Sequence, residues 1–441
     1  MEQKERILFP VGKIRHGAYL PHQKNTADSK TADLPVPQRV VIPVKQHIGA
    51  PCSICVAVGD SVCVGTKIAD TDAPVSAPVH ASVSGKVEKI TWVKTPGGGR
   101  CQAVEIVSDG KMTPDPALKP VTVSGKQDLL DAARNCGLVG LGGAGFPAHI
   151  KLNPKDPVDT LIINGAECEP YVTTDYRCCL EDQEDLLNGV LLLMEYLGVM
   201  RIVIAIENNK KEAIRRLYEI VSDKSDIDDR VQLMELPSKY PQGAEKVIVY
   251  SVTGRKLTAG KLPSRAGCIV MNITTVAKLG HYIRTGMPLV SRRVTVDGSA
   301  VGEPKNVQVP IGTPLHEVLT FCQTDFENVR ELILGGPMMG TSLPDDDFPV
   351  TKTTGAVLAF SERRFLQPTG CIHCGKCAAN CPMNLNPSAI ERAYRADQAE
   401  QIRRLYVDYC MECGCCAFVC PASRPLTQMM RLAKKKAGEQ K

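Results

Sequence analysis

The chain has 441 residues, 43% of them hydrophobic and 23% charged, a balance typical of soluble globular proteins and sufficient for two or three domains. That composition excludes a disordered chain, a coiled coil and a collagen-like fibre. A net charge of +5, with only 8 Phe, 11 Tyr and 1 Trp, argues against nucleic acid as a partner. The most apolar stretch, 189–200, is interrupted by Glu195 and falls well short of the ~20 residues that span a bilayer. The opening MEQKERILFP has neither an apolar core nor a cleavage-type small residue, so no secretion signal is expected. The protein is therefore expected in the cytoplasm or on the cytoplasmic face of a membrane. There its 19 cysteines stay reduced, and metal ligation is their leading use.

Residues 1–38 read as an N-terminal arm. Residues 39–110 carry VAVGDSVCVG and APVHASVSGKV, whose rhythm resembles the barrel-sandwich hybrid of biotinyl and lipoyl domains. Thr71-Asp72-Ala73 stands where those domains present a modifiable lysine, so a structural or docking module is expected rather than an acyl carrier.

Residues 120–289 alternate between two periodicities. A helix is predicted over 127–136, then GLGGAGFP at 140–147, which contains G-x-G-x-x-G at Gly140, Gly142 and Gly145. A dinucleotide-binding loop needs a strand before it, and here a helix precedes it. What remains is a backbone able to approach a phosphate or a flat ring and offer N–H groups. Strands are predicted over 159–166, 201–206, 231–236 and 268–273, with helices over 183–197, 210–220 and 245–252. That order predicts a parallel sheet with helices on both faces and a ligand at the carboxyl ends of its strands. Asn164, Glu167 and Glu169 follow the first strand, and Asn272, Thr274 and Thr275 follow the last. Taken singly, each is better read as an ordinary loop or cap residue.

Residues 290–340 read strand, turn, strand, helix, strand, and 341–368 read as a connector containing Asp345-Asp346-Asp347. Residues 369–430 hold two runs of the form C-x2-C-x2-C-x3-C-P: Cys371, Cys374, Cys377, Cys381 and Cys410, Cys413, Cys416, Cys420. This is the ligand spacing of paired [4Fe-4S] clusters, in which the fourth cysteine of each run serves the other cluster. Cys371, Cys374, Cys377 and Cys420 are assigned to one cluster, and Cys410, Cys413, Cys416 and Cys381 to the other. Paired zinc sites are the competing reading. Between the runs, apolar residues at helical spacing predict two helices. Residues 431–441 form a basic tail, solvated or touching anionic lipid or partner subunits.

GLGGAGFPAHIKL, NGAECEPYVTTDYR, YPQGAEK, MNITT and the two cysteine runs occur in this order. Together they resemble the C subunits of the Rnf complexes, ion-translocating ferredoxin:NAD oxidoreductases. The middle domain is also similar to the NADH-binding flavoprotein of respiratory complex I, and 290–340 resembles the SLBB β-grasp module that follows it there. The resemblance implies a multidomain α+β chain: a barrel-sandwich hybrid, an α/β FMN/NADH-binding domain, a β-grasp module and a helical two-cluster ferredoxin-like domain. It implies non-covalent FMN contacted by Gly140, Gly142, Gly143 and Lys151, with Asn164, Glu167, Tyr240, Gly243, Asn272 and Thr275 completing the site. Phe146 and Glu245 match positions on the NAD(H) side. Hydride transfer to a flavin requires no side-chain acid or base, so no catalytic triad is expected. The implied partners are integral membrane and iron–sulfur subunits, with ferredoxin reached indirectly. Two alternatives share these features: a soluble cobalamin reductase, and a non-enzymatic iron–sulfur relay scaffold.

Overall fold

The computed structural model describes residues 7–12, 14, 16–223, 229–363 and 367–438. Its centre is a five-stranded parallel sheet in the order Ile7–Leu8, Val231–Leu236, Arg201–Glu207, Thr160–Gly165, Cys268–Asn272. The strands are almost continuously apolar because both faces are covered. Leu161 and Ile163 point to one face, packing with Leu186, Leu193 and Val276 of the helices Gln183–Tyr196 and Ile273–Thr285. Ile162, between them in sequence, points to the other face with Ile248 and Val252 of the helix Glu245–Thr253. The edge strand Ile7–Leu8 comes from the segment read as a free arm, and two residues are too few for any periodicity to reveal it.

The barrel-sandwich module is a four-stranded sheet (Arg39–Pro43, Arg100–Ser108, Gly85–Lys94, Ser61–Val62) closed by a three-stranded one (Ser53–Ile54, Lys67–Asp70, Val79–His80). Its core residues Ile42, Ile68 and Ile106 belong to the same apolar cluster as one face of the parallel sheet, so the two modules share a core.

A mixed six-stranded sheet follows, ordered Thr341–Leu343, Glu331–Leu334, Ala356–Phe360, Ser291–Asp297, Lys305–Pro310, Ala32–Asp33. This corrects the reading of 341–368 as a connector. Ala356–Phe360 sits inside the sheet, parallel to Ser291–Asp297 and antiparallel to Glu331–Leu334. Its run AVLAF has the apolar continuity of a covered strand, but the acidic triplet upstream gives the region the look of a loop. Ala32–Asp33, also from the expected arm, adds the opposite edge.

The cysteine-rich end is helical, built from Lys376–Ala379, Pro387–Arg395, Ala399–Arg404, Cys415–Phe418 and Leu426–Gly438 around Ile390, Ile402 and Met430. The segment read as a basic tail continues the last helix to Gly438, and 439–441 lie outside the described residues. Among the described residues no helix is long and apolar enough to cross a membrane.

Candidate active site

At the carboxyl ends of neighbouring parallel strands, Asn164 and Asn272 are register partners. Asn272 caps the helix Ile273–Thr285, its Oδ1 accepting the Thr275 N–H at 3.2 Å. Its Nδ2 donates to Asp175 Oδ2 at 2.7 Å, and Asp175 Oδ1 accepts from Thr274 Oγ1 at 2.6 Å. Thr275 Oγ1 then accepts the Leu141 N–H at 3.0 Å, tying the glycine loop to the strand end. Asp175 is a site residue that sequence reasoning missed; it lies within the TTDYR run, where nothing in the spacing separates it from a cap.

The loop beyond Leu141 is a cradle. Gly142 lies against Asn272, and a Cβ there would stand 2.9 Å from Asn272 Nδ2. Gly143 has a φ of +155°, with open space where a side chain would be. Among the described residues no protein acceptor meets the N–H groups of Gly142, Gly143 and Ala144, which are exposed. Consecutive unpartnered donors on an open backbone fit the acceptor oxygens of a nucleotide. The loop is closed by the Gly140 N–H donating to Phe146 O at 2.8 Å, and its Gly145 carbonyl accepts from Ile48 N of the barrel-sandwich module at 3.1 Å. Phe146 itself is half-buried.

Asn164 Nδ2 donates to Gly243 O at 2.9 Å, and its Oδ1 accepts the Ala166 N–H at 3.0 Å. Gly243 must be glycine, since a Cβ would lie 2.2 Å from Ala166 O. Glu167 turns inward: its Oε1 accepts from Asp175 N at 2.7 Å and Thr174 Oγ1 at 3.2 Å, at the start of the helix Thr174–Glu181. Burial raises its carboxyl to about 7, against the pull of Lys24. Lys24 Nζ donates to the carbonyls of Glu167 at 3.0 Å, Glu169 at 2.8 Å and Val172 at 2.5 Å, fixing the loop after the first strand. Lys151 Nζ pairs with Glu245 Oε1 at the rim, bringing one expected flavin contact together with one expected NAD(H) contact.

Tyr240 is 3% exposed and packs with Cys413, Cys415, Cys168 and Met338. Its backbone exchanges hydrogen bonds with Ala18, at 2.8 and 3.0 Å. The side chain thus stands between the loop after the first strand and the cysteine-rich end.

The eight cysteines of the two runs line two cavities. Cys371, Cys374, Cys377 and Cys420 line one, and Cys381, Cys410, Cys413 and Cys416 the other. Four thiols in each cavity, in the C-x2-C-x2-C-x3-C-P spacing, are the donor set that fits a [4Fe-4S] cubane. The cavities differ in setting. Cys374 is exposed, beside Ile372 at 65% exposure. Cys381 and Cys413 are each 8% exposed, and the Cys381 and Cys410 sulfurs accept backbone N–H groups from Leu385 and Glu412, both at 3.4 Å.

Residues 133–281 match the family described as the Nuo51 FMN-binding domain, 12–111 the RnfC barrel sandwich hybrid domain, and 364–421 the 4Fe-4S dicluster domain. The chain is 39% identical over 394 residues to the C subunit of the proton-translocating ferredoxin:NAD(+) oxidoreductase complex of Clostridium ljungdahlii, covering 87% of this chain and 84% of that relative. It is 39% identical over 389 residues to the C subunit of the Na(+)-translocating complex of Acetobacterium woodii, covering 85% of this chain and 86% of the relative. The C subunit of the ion-translocating oxidoreductase complex of Rhodobacter capsulatus is 36% identical over 427 residues, with 95% of this chain and 82% of the relative covered. The chain belongs to the RnfC family, the C subunits of ion-translocating ferredoxin:NAD(+) oxidoreductase complexes.

Proposed function

We propose that this subunit exchanges hydride with NAD(H) at FMN and moves single electrons through two [4Fe-4S] clusters, as a peripheral part of a membrane complex on its cytoplasmic face. Bound FMN supplies the conversion between a two-electron hydride and the single electrons that iron–sulfur clusters carry. The chain's own residues bind and orient. The open N–H groups of the glycine loop hold acceptor oxygens, Asn164 and Asn272 set the floor of the site, and Phe146 with Glu245 borders the NAD(H) side.

The observation that carries the reading is the position of Tyr240. Its packing with Cys413 and Cys168 puts the Cys381/Cys410/Cys413/Cys416 cavity against the flavin domain. The Cys371/Cys374/Cys377/Cys420 cavity, with Cys374 and Ile372 exposed, would then face the next carrier, an iron–sulfur or membrane subunit. N–H···S bonds favour the more negative, reduced state of a cluster and burial opposes it, so two sites in different settings would differ in potential. We read the mixed sheet as an SLBB-type β-grasp module whose role is positional.

The test is anaerobic purification of this chain apart from its partners, followed by iron, sulfide and flavin determination. About eight irons for two cubanes and one FMN per chain are expected. A chain that binds no FMN, or that holds stoichiometric zinc, would refute the proposal.

A further inference from the structure

Arg292 and Arg293 are consecutive in the strand Ser291–Asp297, so their side chains leave opposite faces of the mixed sheet. Both are buried, at 2% and 8% exposure. Arg293 is neutralised in the ordinary way, by Asp182 at 2.8 Å and Glu181 at 3.0 Å. Arg292 has no carboxylate partner within 4.0 Å among the described residues. Its Nη2 donates to Leu141 O at 3.2 Å and its Nε to Thr354 O at 3.4 Å. A buried cation held only by carbonyls is costly, and Asp175, the carboxylate whose charge acts on it most, is engaged by Asn272 and Thr274.

Leu141 O and the Gly142 N–H belong to one peptide group. That peptide is trans, so its carbonyl and its N–H point in opposite directions. With the carbonyl drawn toward Arg292, the N–H is turned the other way. That N–H is the first of the unpartnered donors of the glycine loop. A charged donor on the carbonyl also polarises the peptide and strengthens whatever bond its N–H makes.

We infer that Arg292, contributed by the mixed-sheet module, is a positioning residue of the flavin site: it orients and polarises the Leu141–Gly142 peptide so that the Gly142 N–H binds an acceptor oxygen of the flavin nucleotide. The module following the flavin domain thus takes part in cofactor binding. This inference rests on the glycine loop being the FMN cradle. The acceptor is a phosphate oxygen or an oxygen of the ring and ribityl chain, and the two are separable.

The experiment uses the full-length chain, reversibly freed of flavin with its iron retained, and titrates FMN and riboflavin by fluorescence quenching. Arg292→Met is expected to weaken FMN binding about tenfold or more, the scale of one charge-assisted hydrogen bond. Arg292→Lys is expected to restore much of it. Loss confined to FMN assigns the contact to the phosphate, whereas equal loss for riboflavin assigns it to the ring or ribityl chain; both support the inference. If Arg292→Met fails to fold, Arg292→Gln, which keeps a donor but no charge, decides the matter. FMN affinity within about twofold of the unsubstituted chain, in a variant with full iron, would overturn it. Failure of the unsubstituted chain to bind FMN would overturn the site reading itself.

Discussion

Lys151 Nζ lies 2.7 Å from Glu245 Oε1, joining the short helix Ala148–Leu152 after the glycine loop to the first turn of Glu245–Thr253. Side-chain exposures of 27% and 40% make this a rim pair, worth ~0–1 kcal/mol to stability. Its value would lie in ligand binding. Lys151→Met and Glu245→Gln should each change unfolding free energy by less than about 1 kcal/mol. Lys151→Met should lower FMN affinity about tenfold, while Glu245→Gln should raise the KM for NADH with FMN retained. Unchanged binding of both in both variants would reduce the pair to a surface contact.

Gly142→Ala places a methyl group 2.9 Å from Asn272 Nδ2. Asn272 must move, and with it the cap on Thr275 and the bond to Asp175. The expected result is a chain that has lost flavin but keeps its iron, measured on the same anaerobic preparation. Full flavin content in this variant would show that the loop yields and that Asn272 does not fix it.

The fourth cysteine of each run decides which cavity it completes. Cys420→Ala should remove the same cluster as Cys377→Ala, and the double variant should lose no more than either alone. Cys381→Ala should instead remove the cluster that Cys410→Ala removes. Iron should fall from about eight to about four in each case, with one electron paramagnetic resonance signal lost and the other kept. If Cys420→Ala and Cys410→Ala abolish the same signal, each run wraps its own cluster.

Much of this architecture is legible in the sequence, and the reasons are physical. The strand Thr160–Gly165 and the helix Lys126–Asn135 announce themselves by apolar continuity and helical spacing, and the cysteine runs by a spacing only a cluster needs. Ile7–Leu8 and Ala32–Asp33 do not, because each pair of residues becomes a strand only by adding to an edge formed elsewhere. Arg292 is equally silent. In sequence it is half of an Arg-Arg pair, and only strand alternation separates the neutralised side chain from the one aimed at Leu141 O. That the Glu167 carboxylate caps the helix Thr174–Glu181 is not legible either, because this use depends on a chain reversal no local pattern reveals.

Lys352 offers a pH test of how the modules are joined. It is fully buried, and its Nζ donates to Pro78 O at 2.6 Å and Gly137 O at 2.7 Å, linking the mixed-sheet module to the barrel-sandwich module and to the parallel-sheet domain. Burial pushes its pKa down to about 8. Between that value and the ordinary ~10.4, the unfolded chain holds a proton the folded chain lacks, so this residue makes stability rise with pH across that window. The gain is at most about 3 kcal/mol. Buried thiols such as Cys136, raised to about 12 by burial, give the opposite slope, but they do so with or without Lys352. Denaturant unfolding at pH 8 and pH 10 should therefore show a smaller gain, or a larger loss, for Lys352→Met than for the unsubstituted chain. Identical pH dependence in the two would contradict a buried, proton-releasing lysine.

Anaerobic rapid mixing with NADH tests the proposed route, from hydride to flavin and first into the cavity beside Tyr240. Flavin should bleach, and then both clusters. In Cys420→Ala the remaining cluster should still be reduced by NADH, whereas in Cys381→Ala the surviving outer cluster should be reduced far more slowly. Flavin that does not bleach with NADH, or an outer cluster reduced at the native rate in Cys381→Ala, would contradict this route.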